Sequence, residues 1–320
     1  MKKIIAICTI LLILVGCNKQ ENIISRNLFY MDTLINIKLY NIDKEIANKA
    51  IDEIDKLYNK YQKLTDFYDE NSELYQLNNH SSGEKVISIS QELYNLIQEG
   101  LNWYKESSGL LNINIGELSK IWNDFRNGKI EFPNENLLNN VNIDITNIQL
   151  LDNNKIINTN PKIDLGAIAK GYVTELAGRY LEENGIEYYI INAGGNVKVG
   201  KSHKGYYTIG VASPINQNEN FEILKAENIS VVTSGSYERF YEYNGQLYHH
   251  IIDPNTKYPA NYMKSVTVIG KDSGECDALS TILFLMDIDS GKEFIKDYNV
   301  DVIWFTQNNE IIKSDGFQYE

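Results

Sequence analysis

The stretch Tyr237-Glu238-Arg239-Phe240-Tyr241-Glu242-Tyr243-Asn244-Gly245-Gln246-Leu247-Tyr248-His249-His250-Ile251-Ile252 decides the fold class. Asn-Gly is the dipeptide favoured in a two-residue hairpin turn, because both positions need positive φ. Aromatic and β-branched residues flank it, so 237–243 reads as an outgoing strand and 246–252 as its antiparallel return. Strands at 187–192, 206–212 and 229–233 lie before this hairpin. After it come a strand at 265–270, helices at 277–286 and 291–298, and a last hairpin of 301–306 with 310–313. Upstream, a strand at 29–40 precedes a helix at 44–63. Ile46, Ala50, Ile54, Leu57, Tyr58 and Tyr61 recur there at helical spacing behind Asp43 as N-cap. A second helix, 91–106, starts at Ser90 and ends before Gly109. A third, 167–183, stops at Asn184-Gly185. The segment 121–160 is polar and irregular, with two short strands. Hairpins interleaved with helices define an α+β fold of mixed, mainly antiparallel sheets packed with helices, not a doubly wound α/β fold. With five prolines, no Ser/Gly-rich linker and no internal repeat, residues 29–320 form one large globular unit.

The chain has 320 residues, is 43% hydrophobic and carries a formal charge of −13. That acidity argues against nucleic acid as a partner. An acidic chain that binds a pyrophosphate must neutralise it locally, with a metal, a lysine or helix N-termini. Lys2 and Lys3 precede an apolar run, Ile4 to Val15, which is too short for a comfortable membrane span of about 20 residues. The run fits a signal peptide, and Leu14-Val15-Gly16-Cys17 looks like a lipobox. An uncleaved anchor is the other reading. Cys8 falls in the signal and Cys17 at its end, so Cys276 alone cannot form an internal disulfide.

Five segments offer chemistry. Asp164-Leu165-Gly166-Ala167-Ile168-Ala169-Lys170-Gly171 puts small residues at a helix start, where free N–H groups and the dipole favour anions. Lys170 could face a phosphate, and Asp164 reads equally as a cap. Asn192-Ala193-Gly194-Gly195-Asn196 allows positive φ or close ligand approach, or is a plain turn. Thr233-Ser234-Gly235-Ser236-Tyr237-Glu238-Arg239 supplies hydroxyls and a glycine, or another turn. His249 and His250 are strand neighbours, so at most one faces a given site; a strand histidine also serves structurally. Asp277 and Thr281 lie four apart on one helix face as hard oxygen ligands for Mg²⁺ or Ca²⁺. The other reading makes Asp277 a helix cap.

In this order the segments resemble the ApbE family of FAD:protein FMN transferases. Met31-Asp32-Thr33 is similar to its opening strand. Tyr68, Ser72-Glu73-Leu74 and Leu77-Asn78 are similar to its first flavin-proximal segment. The Asp164, Asn192 and Thr233 segments, His250-Ile251-Ile252-Asp253-Pro254, and Ser265-Val266-Thr267-Val268 with Asp277-Ala278-Leu279-Ser280-Thr281 complete a match from about 29 to 310. Two departures stand out. Gly109-Leu110-Leu111-Asn112-Ile113-Asn114 replaces the family's Gly-x-Phe-Asp-x-Thr. Lys257 takes the place of its usual Gly.

The resemblance implies an ApbE-type fold with FAD as substrate. A threonine hydroxyl of an acceptor protein attacks the FMN-side phosphorus, AMP leaves, and FMN stays as a phosphoester. It implies Mg²⁺, with Ca²⁺ or Mn²⁺ as alternatives, on Asp277, Thr281 and the Ala167 carbonyl, with Ser280 a further candidate. It implies FAD contacts at Tyr68, Leu111, Asn112, Ile113, Asp164, Lys170, Thr233, Ser234 and Gly235, with Met31 and Ile252 against the flavin or adenosine. His250 is the expected base; its reference pKa near neutrality predicts an ascending pH limb there. FAD pyrophosphatase, a non-catalytic FAD-binding lipoprotein and an adhesive lipoprotein are the alternatives. The implied acceptor is a subunit of a membrane redox complex or an extracytoplasmic flavoprotein. The implied layout is a signal peptide at 1–16, a tether at 17–28 carrying lipid, palmitate included, on Cys17, and the transferase domain at 29–320. That places the domain on the extracytoplasmic face of the cell membrane.

Overall fold

The structure is a computed structural model that describes residues 22–80, 86–159 and 162–319. Cys17 and the expected signal peptide lie outside the described residues.

The chain opens with a hairpin, β1 (Ile23–Tyr30) and β2 (Thr33–Tyr40). The sequence reading had merged these into one strand from 29 and given 17–28 to a tether. Met31 and Asp32, at φ 53° and 57°, make a two-residue turn without Asn or Gly, so the usual hairpin signal is missing. Helix α1 (Lys44–Thr65) follows, capped as expected by Asp43, which accepts from the N–H groups of Glu45 and Ile46. Next come α2 (Glu73–Asn78), β3 (Val86–Ser88) and α3 (Gln91–Glu106) with its expected Ser90 cap. Helix α4 (Gly116–Arg126) runs into the start of the region read as irregular, 121–160, which then holds α5 (Glu135–Asn139), β4 (Ile148–Leu151) and β5 (Lys155–Asn158). Helix α6 (Ala169–Glu183) starts two residues later than expected and stops at Asn184-Gly185, with Gly185 at φ +74°.

The second half runs β6 (Tyr189–Ala193), β7 (Asn196–Val199), β8 (Tyr207–Ala212), β9 (Asn220–Ala226) and β10 (Ile229–Gly235). The Asn244-Gly245 turn joins β11 (Phe240–Tyr243) to β12 (Gln246–His249); both strands are shorter than expected. Then come β13 (Met263–Gly270), α7 (Ser273–Phe284), α8 (Ile288–Phe294), a 3₁₀ turn, β14 (Asp301–Thr306) and β15 (Ile311–Lys313).

Eight strands form the central sheet in the order β1-β2-β6-β7-β10-β13-β14-β15, every neighbour antiparallel. Strand alternation assigns its two faces. Val232, Val266, Val268, Val302 and Trp304 join the core built with α7, α3 and the 111–113 and 163–169 segments. Ile229, Val231, Ile269 and Ile303 turn the other way onto the β8–β9 ribbon. Helices α1 and α6 cover the β1–β2–β6 end. A fourth cluster gathers Trp122 and Phe125 of α4 with Phe132, Tyr248 and Tyr258; Trp122 stacks on Tyr248 at 5.6 Å. No helix among the described residues is long and apolar enough to cross a membrane.

Candidate functional site

A cavity of about 410 Å³ opens where these clusters meet. Its wall takes Phe29, Met31 and Asp32 from the first hairpin, Gln62 and Thr65 from the end of α1, Asp66, Phe67 and Tyr68 just after it, and 110–113 with Ile115. Ser119, Asn123 and Arg126 of α4, the 164–170 segment, and Thr233 and Ser234 of β10 continue it. Glu238, Arg239, His250, Ile251 and Ile252 follow, with Asp277, Thr281 and Leu285 completing it. Every described residue predicted for the site lines this cavity except Gly235 and Ser280. Gly235 is buried with its Cα against the Tyr237 ring. Ser280 is fully buried, bonded to the Asp277 carbonyl and, at 2.7 Å, to Ser234 Oγ.

Asp277 does not cap its helix; Asp272 does that, accepting from the N–H groups of Gly274 and Glu275. The apolar run after Asp277 had hidden the first turn of α7 from the sequence. Asp277 is instead a buried residue one turn inside α7 and faces the start of α6. Its Oδ2 accepts the Gly171 N–H at 2.7 Å, and its Oδ1 accepts Lys170 Nζ at 3.1 Å. Gly171 is the residue whose N–H would reach back to the Ala167 carbonyl in a continuing helix; it donates to Asp277 instead, and Ala167 lines the cavity. A Cβ at Gly171 would sit 2.3 Å from Asp277 Cβ, so only glycine permits this approach. Thr281, one turn beyond Asp277, lies 3.4 Å from Ser234 Oγ. A carboxylate, hydroxyls and a carbonyl form a hard donor set that fits Mg²⁺ or Mn²⁺. No cluster of three or more His, Cys, Asp or Glu suited to a metal occurs among the described residues.

The two histidines divide as strand alternation requires. His249 is buried; its Nε2 bonds the Ala260 carbonyl at 2.7 Å, and its Nδ1 accepts from the Ile251 N–H. His250 lies half-buried on the cavity wall, with Nδ1 lacking a hydrogen-bond partner. Burial, with the charges of Arg239, His249 and Arg126, lowers its pKa to about 3. The expected ascending limb near neutrality is thereby corrected: this imidazole stays neutral at all physiological pH values.

The Asp164 segment is not a cap either. Asp164 Oδ1 accepts the Gly166 N–H in a local turn. Asn78 holds that turn from behind, exchanging hydrogen bonds of 2.8 and 2.7 Å with the Ile163 backbone. Where the family pattern lapses, Asn112 and Asn114 are occupied structurally: their amides donate to the Ile143 and Asp144 carbonyls. The paired glycines of 192–196 turn β6 into β7, at φ 58° and 86°. Gly194 lies so close to Thr33 that a Cβ would fall 1.9 Å from its Oγ1.

Sequence reasoning missed Arg126. Its guanidinium is partly buried, bonds only Asn123 at 3.3 Å, and has no carboxylate in ion-pair range among the described residues. Burial and the nearby Arg239 lower its pKa. The signal was present: Leu118, Ile121, Trp122 and Phe125 repeat at helical spacing in a stretch treated as irregular.

The architecture matches solved ApbE proteins. The ApbE protein of Thermotoga maritima superimposes with a TM-score of 0.84, at 26% identity, over 92% of this chain and 97% of that one. The flavin transferase ApbE of Vibrio cholerae gives 0.80 at 24% identity, over 93% and 99%. The ApbE family model matches residues 31–304. The FAD:protein FMN transferase of Klebsiella pneumoniae is 31% identical over 308 residues, 92% of this chain and 93% of its own; that of Vibrio cholerae is 28% identical over 96% and 93%. The chain belongs to the ApbE family.

Proposed function

We propose that this chain transfers FMN from FAD to a threonine of an acceptor protein. The threonine Oγ bonds to the FMN-side phosphorus as that phosphorus releases its bridging oxygen to AMP, and the threonine proton passes to His250. The transferase names of the relatives support the activity. The observation that carries it onto these residues is that Asp277, Thr281, Lys170, Arg126 and Arg239 converge on one cavity.

The cations Arg126, Lys170 and Arg239 are placed to bind the diphosphate. Five carboxylates share the wall with them: Asp32, Asp66, Asp164, Glu238 and Asp277. A diphosphate would add further negative charge, which a divalent cation offsets. Asp277, Thr281 and the Ala167 carbonyl would hold that ion; Mg²⁺ is proposed, with Mn²⁺ and Ca²⁺ as competitors. Phe29, Met31, Tyr68 and Ile252 offer apolar surface to the rings. His250 stands on the same wall and is uncharged at neutral pH, the state in which an imidazole can take a proton.

The test incubates the domain with FAD, Mg²⁺ and a candidate acceptor and separates FMN–protein from free FMN. Asp277→Asn and EDTA should each remove nearly all transfer. Free FMN alone would make the chain a pyrophosphatase, and full activity in EDTA would end the metal assignment.

The proposal includes anchoring by lipid on Cys17 at the extracytoplasmic face of the membrane, supported by Lys2-Lys3, the apolar run and Leu14–Cys17. Cys17→Ser should leave the protein as unprocessed precursor or in the soluble fraction; a normally lipid-labelled variant would refute the anchor.

A further inference from the structure

Helices α6 and α7 cap each other. Asp277 of α7 takes the Gly171 N–H in the first turn of α6 at 2.7 Å. Glu175 of α6 takes the N–H of Ser273, the first residue of α7, at 2.8 Å. Glu175 lies one turn beyond Gly171, and Asp277 one turn beyond Ser273, so the two grips are mirror uses of one spacing. Each carboxylate also meets a lysine: Lys170 at Asp277, 3.1 Å, and Lys198 at Glu175, 2.9 Å.

The two halves differ in access. Lys170 and Asp277 face the cavity. Lys198 is 6% exposed and Glu175 9%. Lys198 threads past Gly178, where a Cβ would fall 2.3 Å from its Cε, and also donates to the Lys271 carbonyl at 3.1 Å. Arg179 holds the other oxygen of Glu175 at 3.0 Å and reaches Asp272 at 2.8 Å. Asn196 takes the Ser273 hydroxyl at 2.5 Å. A buried ion pair this fully bonded costs desolvation and adds little net stability, but it fixes geometry.

We infer that the sealed Glu175–Lys198 pair is a positioning device: by holding the first N–H of α7 it sets the register of α7 against α6, and so the place of the Asp277 carboxylate at the cavity. The inference rests on the reading of Asp277 as a cation ligand. Partners that orient a ligand in this way are worth about 10–100-fold in metal affinity.

The test compares two double variants in the full domain. Glu175→Leu with Lys198→Met removes the buried charges and the acceptor for Ser273. Glu175→Gln with Lys198→Met removes the charges and keeps an acceptor. Mn²⁺ titrated into the FAD complex should bind the leucine double about 10–100-fold more weakly than wild type and the glutamine double nearly normally. FAD affinity in EDTA should be unchanged in both. Hydrogen exchange at the Gly171 amide should quicken in the leucine double and be restored in the glutamine double. Where a double does not fold, Arg179→Gln loosens Glu175 from the surface, and faster Gly171 exchange is again expected. Wild-type exchange and wild-type Mn²⁺ affinity in folded variants would overturn the positioning role. An Asp277→Asn protein that binds Mn²⁺ as wild type does would instead overturn the cation reading, and this role with it.

Discussion

His249 and His250 are adjacent, both uncharged, and put to different uses. Burial lowers His249 to about 4 despite its bond to Ala260, and His250 to about 3. In the unfolded chain each takes a proton near 6.5. The unfolded state therefore binds more protons from pH 6.5 down to about 4 for His249 and about 3 for His250, and the stability these groups confer, complete above pH 6.5, is lost as pH falls through that window. His249→Asn should lose about 2 kcal/mol less between pH 7 and pH 5 than wild type does, read by urea unfolding at both values. For catalysis, His250→Asn should slow transfer by about 10²–10⁴-fold, leaving FAD affinity within a few-fold, and His249→Asn should do far less. Neither protein should show a limb near neutrality that belongs to His250. Near-normal transfer by His250→Asn would shift the base role to Asp277. Strand alternation singled out one histidine of the pair for the cavity; the depressed pKa was hidden because it comes first from burial and then from Arg239 across the hairpin and Arg126 of α4, and neither the burial nor the approach of α4 is written in the local sequence.

Lys257 shows how an element absorbs an unfavourable residue. Its φ of +64° suits the glycine usual in the family and costs another residue about 1–2 kcal/mol. Its Nζ donates to the carbonyls of Leu138, Asn139 and Val141 at the end of α5, and its own carbonyl accepts Trp122 Nε1 of α4. Lys257→Met, which keeps the strain and loses the cap, should lower stability by about 1–3 kcal/mol. Lys257→Gly, which relieves the strain, should lose less. Equal stability of the two variants by thermal unfolding would refute the compensation. Elements with local signals were legible in the sequence: the α1 and α3 caps, the Asn244-Gly245 turn and the Asn184-Gly185 stop. Elements without one were not. Met31-Asp32 turns without glycine, and the first turn of α7 is less apolar than the rest; α4 did carry a helical repeat, masked by the polar residues around it. The site followed the same rule. Residues in ordered motifs reached the cavity, Gly235 and Ser280 excepted, whereas Arg126 belongs to no motif and is brought there by the Trp122 cluster.

At the scale of the molecule, the cavity belongs to no single segment. Its wall draws on Phe29 at one end of the domain and Leu285 near the other, and the central sheet pairs β2 with β6 and β10 with β13 across long connections. Such non-local contacts form late, because loop closure must precede them. During refolding with FAD present, the flavin signal should rise no earlier than the last phase reported by Trp103, Trp122 and Trp304. A flavin signal ahead of that phase would show that a fragment of the fold suffices. A site that exists only once Phe29 and Leu285 share a wall cannot hold FAD on an extended chain. If the protein crosses the membrane as a thread, it arrives without flavin, and its supply of FAD must already be waiting on the far side.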